Sequence, residues 1–281
     1  MFLGDLQLDT ISGGSFAMDG GGVYGVVPRV IWADKTPPDE QNRVSLTCNC
    51  VLVRNGDYTA LIETGYGLHA STREREMCRM EEGEPLLRSL AAVGVAPESI
   101  DAVIFGHLHF DHVGGATTFD DNGKPRLTFP NATYIASRPE WEDAFCGEKA
   151  LSAAYLPELL EPIRESGQFR TVEDGEEMLP GIFAQVTGGH TRGHMLVRLK
   201  SGGQEAAYCG DIFPTAVHLR PLWSLAYDTN MLDARRAKFE FLEDAIRRQW
   251  WVLFAHDVNR AAAKVERVDG KLELVDEQVR L

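Results

Sequence analysis

Short apolar runs separated by turn signals divide the chain into two strand-rich halves. In the first half, VSLTCNCVLV and YTALIETG lie on either side of Asn55–Gly56–Asp57, and an Asn-Gly pair between apolar runs predicts a β-hairpin over residues 44–65. A charged stretch follows and has the period of a helix, with one apolar face formed by Leu86, Leu87, Leu90 and Val93. IDAVIFG then predicts a buried strand that ends at His107.

The second half repeats this layout. IFAQVTGG predicts a strand leading to His190, and HMLVRLKSGGQEAAYCGD predicts a hairpin that turns at residues 201–203. DARRAKFEFLEDAIRRQW predicts an amphipathic helix whose apolar side carries Phe239, Leu242 and Ile246. WVLFAHD is another apolar strand closing on a histidine. The repeated order predicts an α/β fold in which two β-sheets pack face to face with helices outside.

The N-terminal section has a different character. MDGGGVYGVVPRVIWADKTPPDEQNR is rich in glycine and proline, so residues 1–43 are predicted to be largely loop, and a loop of that length often covers a site. No low-complexity linker divides the chain. We therefore predict a single domain over residues 1–281 with this loop near the active site.

The composition limits the cellular location and the kinds of partner that we expect for this protein. A net charge of -14 over 281 residues repels phosphate backbones and anionic lipid surfaces, so neither nucleic acid nor a membrane is an expected partner. The N-terminus shows no basic and apolar leader, and no later run is long enough to span a bilayer, so we expect a cytoplasmic protein. Five scattered cysteines are expected to be reduced thiols, and Cys48 and Cys50 are interpreted as strand residues rather than metal ligands.

The densest chemical signal is IFGHLHFDHVGG, residues 104–115. His107 and His109 are two apart at a strand end, so in extended backbone their side chains point the same way and can bind one metal ion. Asp111 and His112 follow where the chain turns and can face a second metal ion. Three histidines and an aspartate within six residues make chance placement a poor explanation.

This pattern, His-x-His-x-Asp-His, resembles the hallmark of the metallo-β-lactamase superfamily, and the likeness extends from about Val44 to Asp257. The resemblance implies an αββα sandwich and two divalent metal ions. Zn²⁺ is the first expectation, and the ligand types also suit iron, manganese or cobalt. The implied ligands of one ion are His107, His109 and His190, those of the other are Asp111, His112 and His256, and Asp211 bridges the two.

The same resemblance implies hydrolysis by a metal-bridging hydroxide, with Asp111 and Asp211 as catalytic carboxylates and a small molecule as substrate. TGGHTRGHM and the N-terminal MDGGGVYGVVPRVIW resemble the quorum-quenching branch that opens N-acyl homoserine lactones. The β-lactamase branch is disfavoured because Asp211 stands where those enzymes have a cysteine ligand. The glyoxalase type is disfavoured because only a short segment follows His256.

Two positions depart from the lactonase pattern. Pro214 stands where lactonases have a tyrosine that polarises the lactone carbonyl, so another donor is needed. His218 is a candidate for that donor, and a histidine hydrogen-bonded within a loop is the alternative. Glu63 stands where the superfamily usually has aspartate, and its carboxylate is predicted to accept a hydrogen bond from a ligating histidine.

Several alternatives stay open at this point. The same two metals suit a phosphotriesterase-like or phosphodiesterase-like enzyme, and a di-iron redox protein or a non-catalytic binding protein is the alternative from another class. A homodimer formed through the N-terminal loop also stays open. His194 is predicted to form a structural hydrogen bond, and His69 is assigned no role. A group of aromatic residues is assigned either to a pocket wall or to plain core: Tyr24, Trp32, Phe213 and Trp223.

Overall fold

The structure is a computed structural model that describes residues 1–151 and 155–281. In these ranges the strands are β1 (Phe2–Leu3), β2 (Leu6–Asp19), β3 (Arg43–Arg54), β4 (Thr59–Ile62), β5 (Ala102–Ile104), β6 (Thr117–Phe119), β7 (Pro125–Leu127), β8 (Thr133–Ser137), β9 (Phe169–Val172), β10 (Glu177–Leu179), β11 (Ile182–Val186), β12 (Met195–Ser201), β13 (Gln204–Tyr208), β14 (Trp251–Leu253), β15 (Ala262–Val268) and β16 (Lys271–Gln278). The α-helices there are α1 (Gly20–Tyr24), α2 (Arg29–Trp32), α3 (Thr72–Met77), α4 (Pro85–Ala92), α5 (Phe110–Val113), α6 (Arg138–Phe145), α7 (Pro157–Ser166) and α8 (Met231–Arg248).

Within the described residues, the strands form two mixed seven-stranded sheets and one small two-stranded sheet. The first large sheet has the order β1-β2-β3-β4-β5-β8-β9, and the second runs from β10 to β16 in sequence order. Apolar side chains from both sheets, such as Leu8, Ile62, Val197 and Leu253, form a shared buried core. Burying one face of each sheet against the other is the main favourable term in assembling these layers.

Helices cover the outer face of each sheet. Leu86 and Leu90 of α4 and Leu159 of α7 pack on the first sheet, and Phe241 and Leu242 of α8 pack on the second. The predicted αββα sandwich is therefore confirmed, with β3 and β4 forming the hairpin expected around Asn55–Gly56–Asp57. Among the helices in the described part of the chain, none has the length and apolarity to cross a bilayer.

The prediction for the N-terminal section was wrong over much of its length. Residues Leu6–Asp19 form the long strand β2, which pairs antiparallel with β3 and shifts register between Ser12 and Ser15. The Gly13–Gly14 pair lies at this bulge, and the bulge interrupts the alternation that would otherwise have indicated a strand. The glycine-rich part after β2 forms the short helices α1 and α2.

The prediction for the apolar face of α8 is confirmed for Leu242 and Ile246 and wrong for Phe239. Phe239 is 52% exposed, whereas Phe241 and Leu242 are buried against the second sheet. The helix carries aromatic residues on two faces, and the sheet contacts decide which of them is covered. The five cysteines all lie in the described residues and are free thiols, as predicted, with Cys48 and Cys50 buried in β3.

Pairing within the sheets brings several strand ends to one edge of the sandwich. β4 and β5 are parallel, so Glu63 and the chain leading to His107 leave the first sheet at the same edge. β13 and β14 are also parallel, which brings the segments that carry Asp211 and His256 to one edge of the second sheet. The Asn49 side chain on β3 donates to the carbonyls of Phe254, at 3.1 Å, and Asp257, at 3.0 Å, and so ties the two sheets together there.

Candidate metal centre

Four side chains form a first cluster of candidate ligands, contributed by the β5 exit, the β11–β12 loop and the turn after β13. One ligand atom from each of His107, His109, His190 and Asp211 lies within 4.8 Å of the others. His190 Nε2 is 3.1 Å from His109 Nδ1 and 3.3 Å from Asp211 Oδ2. The three histidines are the first predicted group and Asp211 is the predicted bridge, and the fold brings them together from three separate parts of the chain.

A second cluster lies on the other side of Asp211. Asp111 and His112 belong to the one-turn helix α5, and His256 comes from the loop after β14. The Nε2 atoms of His112 and His256 are 3.1 Å apart, and Asp111 Oδ2 is 3.6 Å from His256 Nε2. The structure therefore also assembles the second predicted group.

Asp211 divides its two oxygens between the clusters. Oδ2 faces the first cluster, and Oδ1 lies 3.4 Å from His112 Nε2 and 3.0 Å from His256 Nε2 in the second. The short 3₁₀ turn Gly210–Ile212 holds this side chain at the end of β13, and the Asp211 amide donates to His194 Nε2 at 3.2 Å. His194, whose Nδ1 meets the Thr187 hydroxyl at 2.8 Å, thus forms the structural hydrogen bonds expected of it. A carboxylate in this position is suited to bridging two cations.

The donor atoms of both clusters fit a pair of divalent cations. The outward Nδ1 atoms of His190 and His256 lie 2.9 Å from the Asp228 carboxylate and from the Thr47 carbonyl, respectively. With the proton on Nδ1 facing these acceptors, each neutral ring directs the lone pair of Nε2 inward. Among the described residues, His107 Nε2 and Asp211 Oδ1 are buried with no hydrogen-bond partner. Buried lone pairs that converge without a donor between them are costly unless a cation binds them.

The electrostatics of the two clusters also favour binding of cations. Burial, together with the neighbouring histidines, lowers the pKa of His107 and of His109 well below the ordinary value. Burial also acts to lower the pKa of His112, but Asp111, Glu63 and Asp211 outweigh it and raise that pKa well above the ordinary value. Burial opposes ionisation of Asp211, yet the surrounding histidines hold its pKa well below the usual range. The site is thus built around negative charge that attracts cations.

Glu63 lies where the predicted supporting carboxylate would be. Its Oε1 accepts from the Gly106 amide at 2.8 Å and is 3.5 Å from His112 Nδ1. The side chain is 1% exposed, and burial raises the pKa of its carboxyl. Its backbone is left-handed, with φ 62°, a conformation that non-glycine residues seldom adopt. The Glu63 carboxylate thus lies between Gly106 and His112, and the backbone of Glu63 is strained.

Both clusters open into a cavity of about 310 Å³. The metal-site residues that line it include His109, Asp111, His190, Asp211 and His256. The remaining walls are largely apolar and come from β2, α1, β3, α5 and the loops before α7 and α8, with lining residues Phe16, Met18, Val23, Leu46, Phe110, Leu151 and Leu225. Tyr227 and Thr229 add hydroxyl groups to the lining. The cavity therefore joins a polar, metal-binding end to an apolar wall.

The structure does not bring His218 to the two clusters. Its ring is fully buried, with Nε2 donating to the Val23 carbonyl at 2.9 Å and Nδ1 meeting the Thr215 hydroxyl at 2.8 Å. Burial, and next the charge of Lys238, lowers the pKa of His218 to about 3, so the ring is neutral. Both ring nitrogens are used inside the fold, which is the alternative that the sequence left open.

The four aromatic residues that the sequence assigned either to a pocket wall or to core pack in the core. Tyr24 stacks between Trp32 and His218, with ring centroids 5.0 Å and 5.2 Å away, and Trp223 meets it edge-on. Phe213 packs against Phe241 of α8. Val23, next to Tyr24, is the residue of α1 that lines the cavity. The aromatic stack thus supports the cavity wall from behind.

Three further residues of the site carried no recognisable signal in the sequence. Asp228 binds the outward nitrogen of His190, Tyr227 lines the cavity, and Glu140 is buried against the loops that carry the first cluster. Each lies outside the His-x-His-x-Asp-His motif and the strand ends. His69, which was assigned no role, bonds to Thr117 Oγ1 at 2.9 Å, away from both clusters.

The fold and the two clusters define the class of the protein. The model of the metallo-beta-lactamase superfamily matches residues 44–267, and the chain belongs to that superfamily. With its two His/Asp clusters, it is a metal-dependent hydrolase of this superfamily.

Comparison with individual proteins narrows the relationship. An N-acyl homoserine lactonase of a Bacillus species is 27% identical over 228 residues, which cover 75% of this chain and 81% of the relative. The structure of a probable metal-dependent hydrolase from Staphylococcus aureus matches with a TM-score of 0.89 and 31% identity, covering 98% of both chains. AidC, a dizinc quorum-quenching lactonase in complex with a product, matches with a TM-score of 0.80 and 20% identity over 99% of this chain and 96% of its own. At 20% identity, the likeness to AidC shows a shared fold.

Proposed function

We propose that this hydrolase opens lactones, with N-acyl homoserine lactones as its substrate class and Zn²⁺ as its metal. The observation that carries the proposal is the shape of the site, in which the candidate ligands form one end of a cavity and apolar side chains form its walls. A substrate with a hydrolysable polar ring and an apolar tail matches both ends. Relatives named as N-acyl homoserine lactonases support the same substrate class.

The proposed ligands are those predicted from the sequence, in two sets that share Asp211. His107, His109 and His190 form the first set, and Asp111, His112 and His256 form the second. When bound, two divalent ions would supply an activated hydroxide and Lewis acidity toward a carbonyl oxygen. The protein contributes the fixed orientation of each imidazole, since Asp228 and the Thr47 carbonyl hold the outward nitrogens of His190 and His256.

The remaining roles fall to residues that line the cavity. Ring opening forms a bond from a water oxygen to the carbonyl carbon, breaks the ring C–O bond and returns a proton to the released alkoxide. Asp111 and Asp211 both face the cavity, so their carboxylates are placed to accept that proton and pass it on. The Tyr227 hydroxyl, which lines the cavity, is the candidate donor to the substrate, since Pro214 occupies the position where lactonases have a tyrosine. His218 receives no catalytic role.

The charge of the cavity favours a neutral substrate over a phosphodiester. Among the described residues that line it, none is lysine or arginine, while Asp111 and Asp211 are both acidic. An anionic phosphodiester would find positive charge only at the two proposed metal ions, whereas a neutral lactone needs no further cation. The phosphotriesterase alternative keeps a neutral substrate and is tested together with the lactones.

The test combines metal analysis with a substrate panel. We expect about two metal ions per chain and hydrolysis of short-chain and long-chain homoserine lactones, with weaker activity on an aryl ester and a phosphotriester. Asp211→Ala is expected to lose both metal and activity, and Asp57→Ala, in an exposed turn, serves as the control. Two metals with phosphotriester turnover and no lactone opening would reject the proposed substrate class, and a fully metallated, fully active Asp211→Ala would reject the site.

A further inference from the structure

Glu140 is a buried acid to which the proposed chemistry gives no task. It lies in the first turn of α6, is 0% exposed, and follows the N-cap residue Ser137. A carboxyl group in such a position is costly unless hydrogen bonds satisfy both of its oxygens. Its contacts should therefore show what the fold gains from it.

Those contacts reach the two loops that carry the histidines of the first cluster. Glu140 Oε1 accepts from the Leu108 amide at 2.9 Å, and Leu108 lies between His107 and His109. Oε2 accepts from the Thr191 hydroxyl at 2.6 Å, and Thr191 follows His190. One carboxylate thus contacts the backbone between His107 and His109 and the side chain of the residue that follows His190.

Two neighbouring contacts strengthen this link. The Tyr155 hydroxyl donates to the same carboxyl, and the Tyr155 ring lies 5.9 Å from the His109 ring. The start of α6 also packs directly on the His190 loop, since a Cβ on Gly193 would lie 2.1 Å from the Glu140 nitrogen. The helix and the loop therefore meet without room for a side chain between them.

We propose that Glu140 is a positioning residue for the first metal cluster, whereas Glu63 serves the second. Glu63 contacts His112 and the Gly106 amide, and Glu140 contacts the loops of His107, His109 and His190. The contacts of Glu140 thus support the loops of the first cluster, whereas Glu63 contacts His112 of the second cluster and also lies close to His107. This division gives Glu140 one cluster to position. This inference rests on the proposed metal site and is independent of the substrate.

The division predicts effects that are confined to one cluster. Supporting residues of this kind typically change metal affinity by about 10-fold to 100-fold when removed. Glu140→Ala should therefore weaken zinc binding by the first cluster by roughly that factor and leave the second within about 2-fold. Glu140→Gln keeps one oxygen for the Leu108 amide and an amide group for the Thr191 hydroxyl, so it should recover most of the loss.

The experiment isolates each cluster before the variants are compared. His256→Ala leaves the first cluster intact, and His190→Ala leaves the second, so each background reports one zinc affinity by competition with a chromophoric chelator. Glu140→Ala and Glu140→Gln are added to both backgrounds. Glu165→Gln is the control, because Glu165 is an exposed acidic residue of the neighbouring helix α7. Thr191→Val provides a second, milder variant if Glu140→Ala does not fold.

A selective loss in the His256→Ala background, with recovery by glutamine, is the expected result. An equal loss in both backgrounds would show a general effect on folding and overturn the proposal, as would unchanged affinity in both. Unfolding of each variant in chelator measures the general effect directly. Because zinc affinity is the readout, a failure to open lactones would reject the proposed function and leave the role of Glu140 standing.

Discussion

Replacing His218 tests whether its side chain is a catalytic donor or a structural support. Its ring is fully buried, donates to the Val23 carbonyl and contacts Thr215, and it stacks on Tyr24. His218→Ala removes both hydrogen bonds and the stack, while His218→Gln keeps a donor near the position of Nε2. We therefore expect a strong effect on stability from alanine and a smaller one from glutamine.

The size of the effect follows from the groups that lose their partner. An unsatisfied buried hydrogen-bonding group costs about 1–3 kcal/mol, and here the Val23 carbonyl and the Thr215 hydroxyl both lose their partner. Loss of the stacked ring adds about 1 kcal/mol. His218→Ala should thus lower the free energy of unfolding by roughly 3–7 kcal/mol, a range that includes the about 3–5 kcal/mol typical of removing a buried aromatic ring. Because Val23 lines the cavity, KM for a long-chain lactone should also rise, by about 10-fold for a 1.4 kcal/mol loss of binding.

Urea unfolding of the metal-loaded protein measures the stability, and steady-state kinetics on short-chain and long-chain lactones separates kcat from KM. Thr215→Val is the companion variant because it removes the contact to Nδ1 and leaves the ring in place. A His218→Ala protein that keeps its stability and metal content but loses kcat by 100-fold or more would refute the structural role. Such a result would restore the catalytic donor that the sequence suggested.

Three further perturbations test other parts of the site. Asp228→Ala removes the acceptor for His190 Nδ1, so zinc affinity should fall by about 10-fold to 100-fold in a chelator competition, and Asp228→Asn should lose less. Gly22→Ala places a Cβ 2.1 Å from the Tyr227 hydroxyl oxygen, so KM should rise while the melting temperature changes little, because the half-exposed tyrosine can move outward. Burial lowers the pKa of Lys238 to about 8, so the unfolded state binds more protons between about pH 8 and 10.5 and stability should rise through that window. The rise should reach roughly 3 kcal/mol and be absent in Lys238→Met, as measured by urea unfolding at several pH values.

The layout of the sandwich was predictable because its strands are short, apolar and bounded by clear turns. The β3–β4 hairpin at Asn55–Gly56 and the apolar run before His107 follow local rules. The long strand β2 was missed because the bulge at Gly13–Gly14 breaks its alternation. Pairing with β3 over most of its length supplies the stability that its local pattern does not show.

The candidate ligands were predictable for a related reason. His107 and His109 owe their common direction to extended backbone, and Asp211 and His256 each follow a strand that ends at the same edge. The supporting residues could not be found in this way. Asp228 meets His190 across 38 positions of sequence, and Glu140 meets Thr191 across 51, so only the packed fold brings them together.

The cavity wall shows why the chemistry of this chain was easier to predict than its substrate. Phe16 of β2 packs edge-on against the ring of His256, with centroids 5.7 Å apart, so the apolar wall begins directly at the metal cluster. Val23, Leu46 and Leu225 continue it from three other segments. In sequence each of these residues has the pattern of ordinary core, because burial in a wall and burial in a core demand the same apolar side chain. The wall can therefore change through substitutions in these segments while every ligand stays in place, and substrate range in this fold is set by residues that carry no motif.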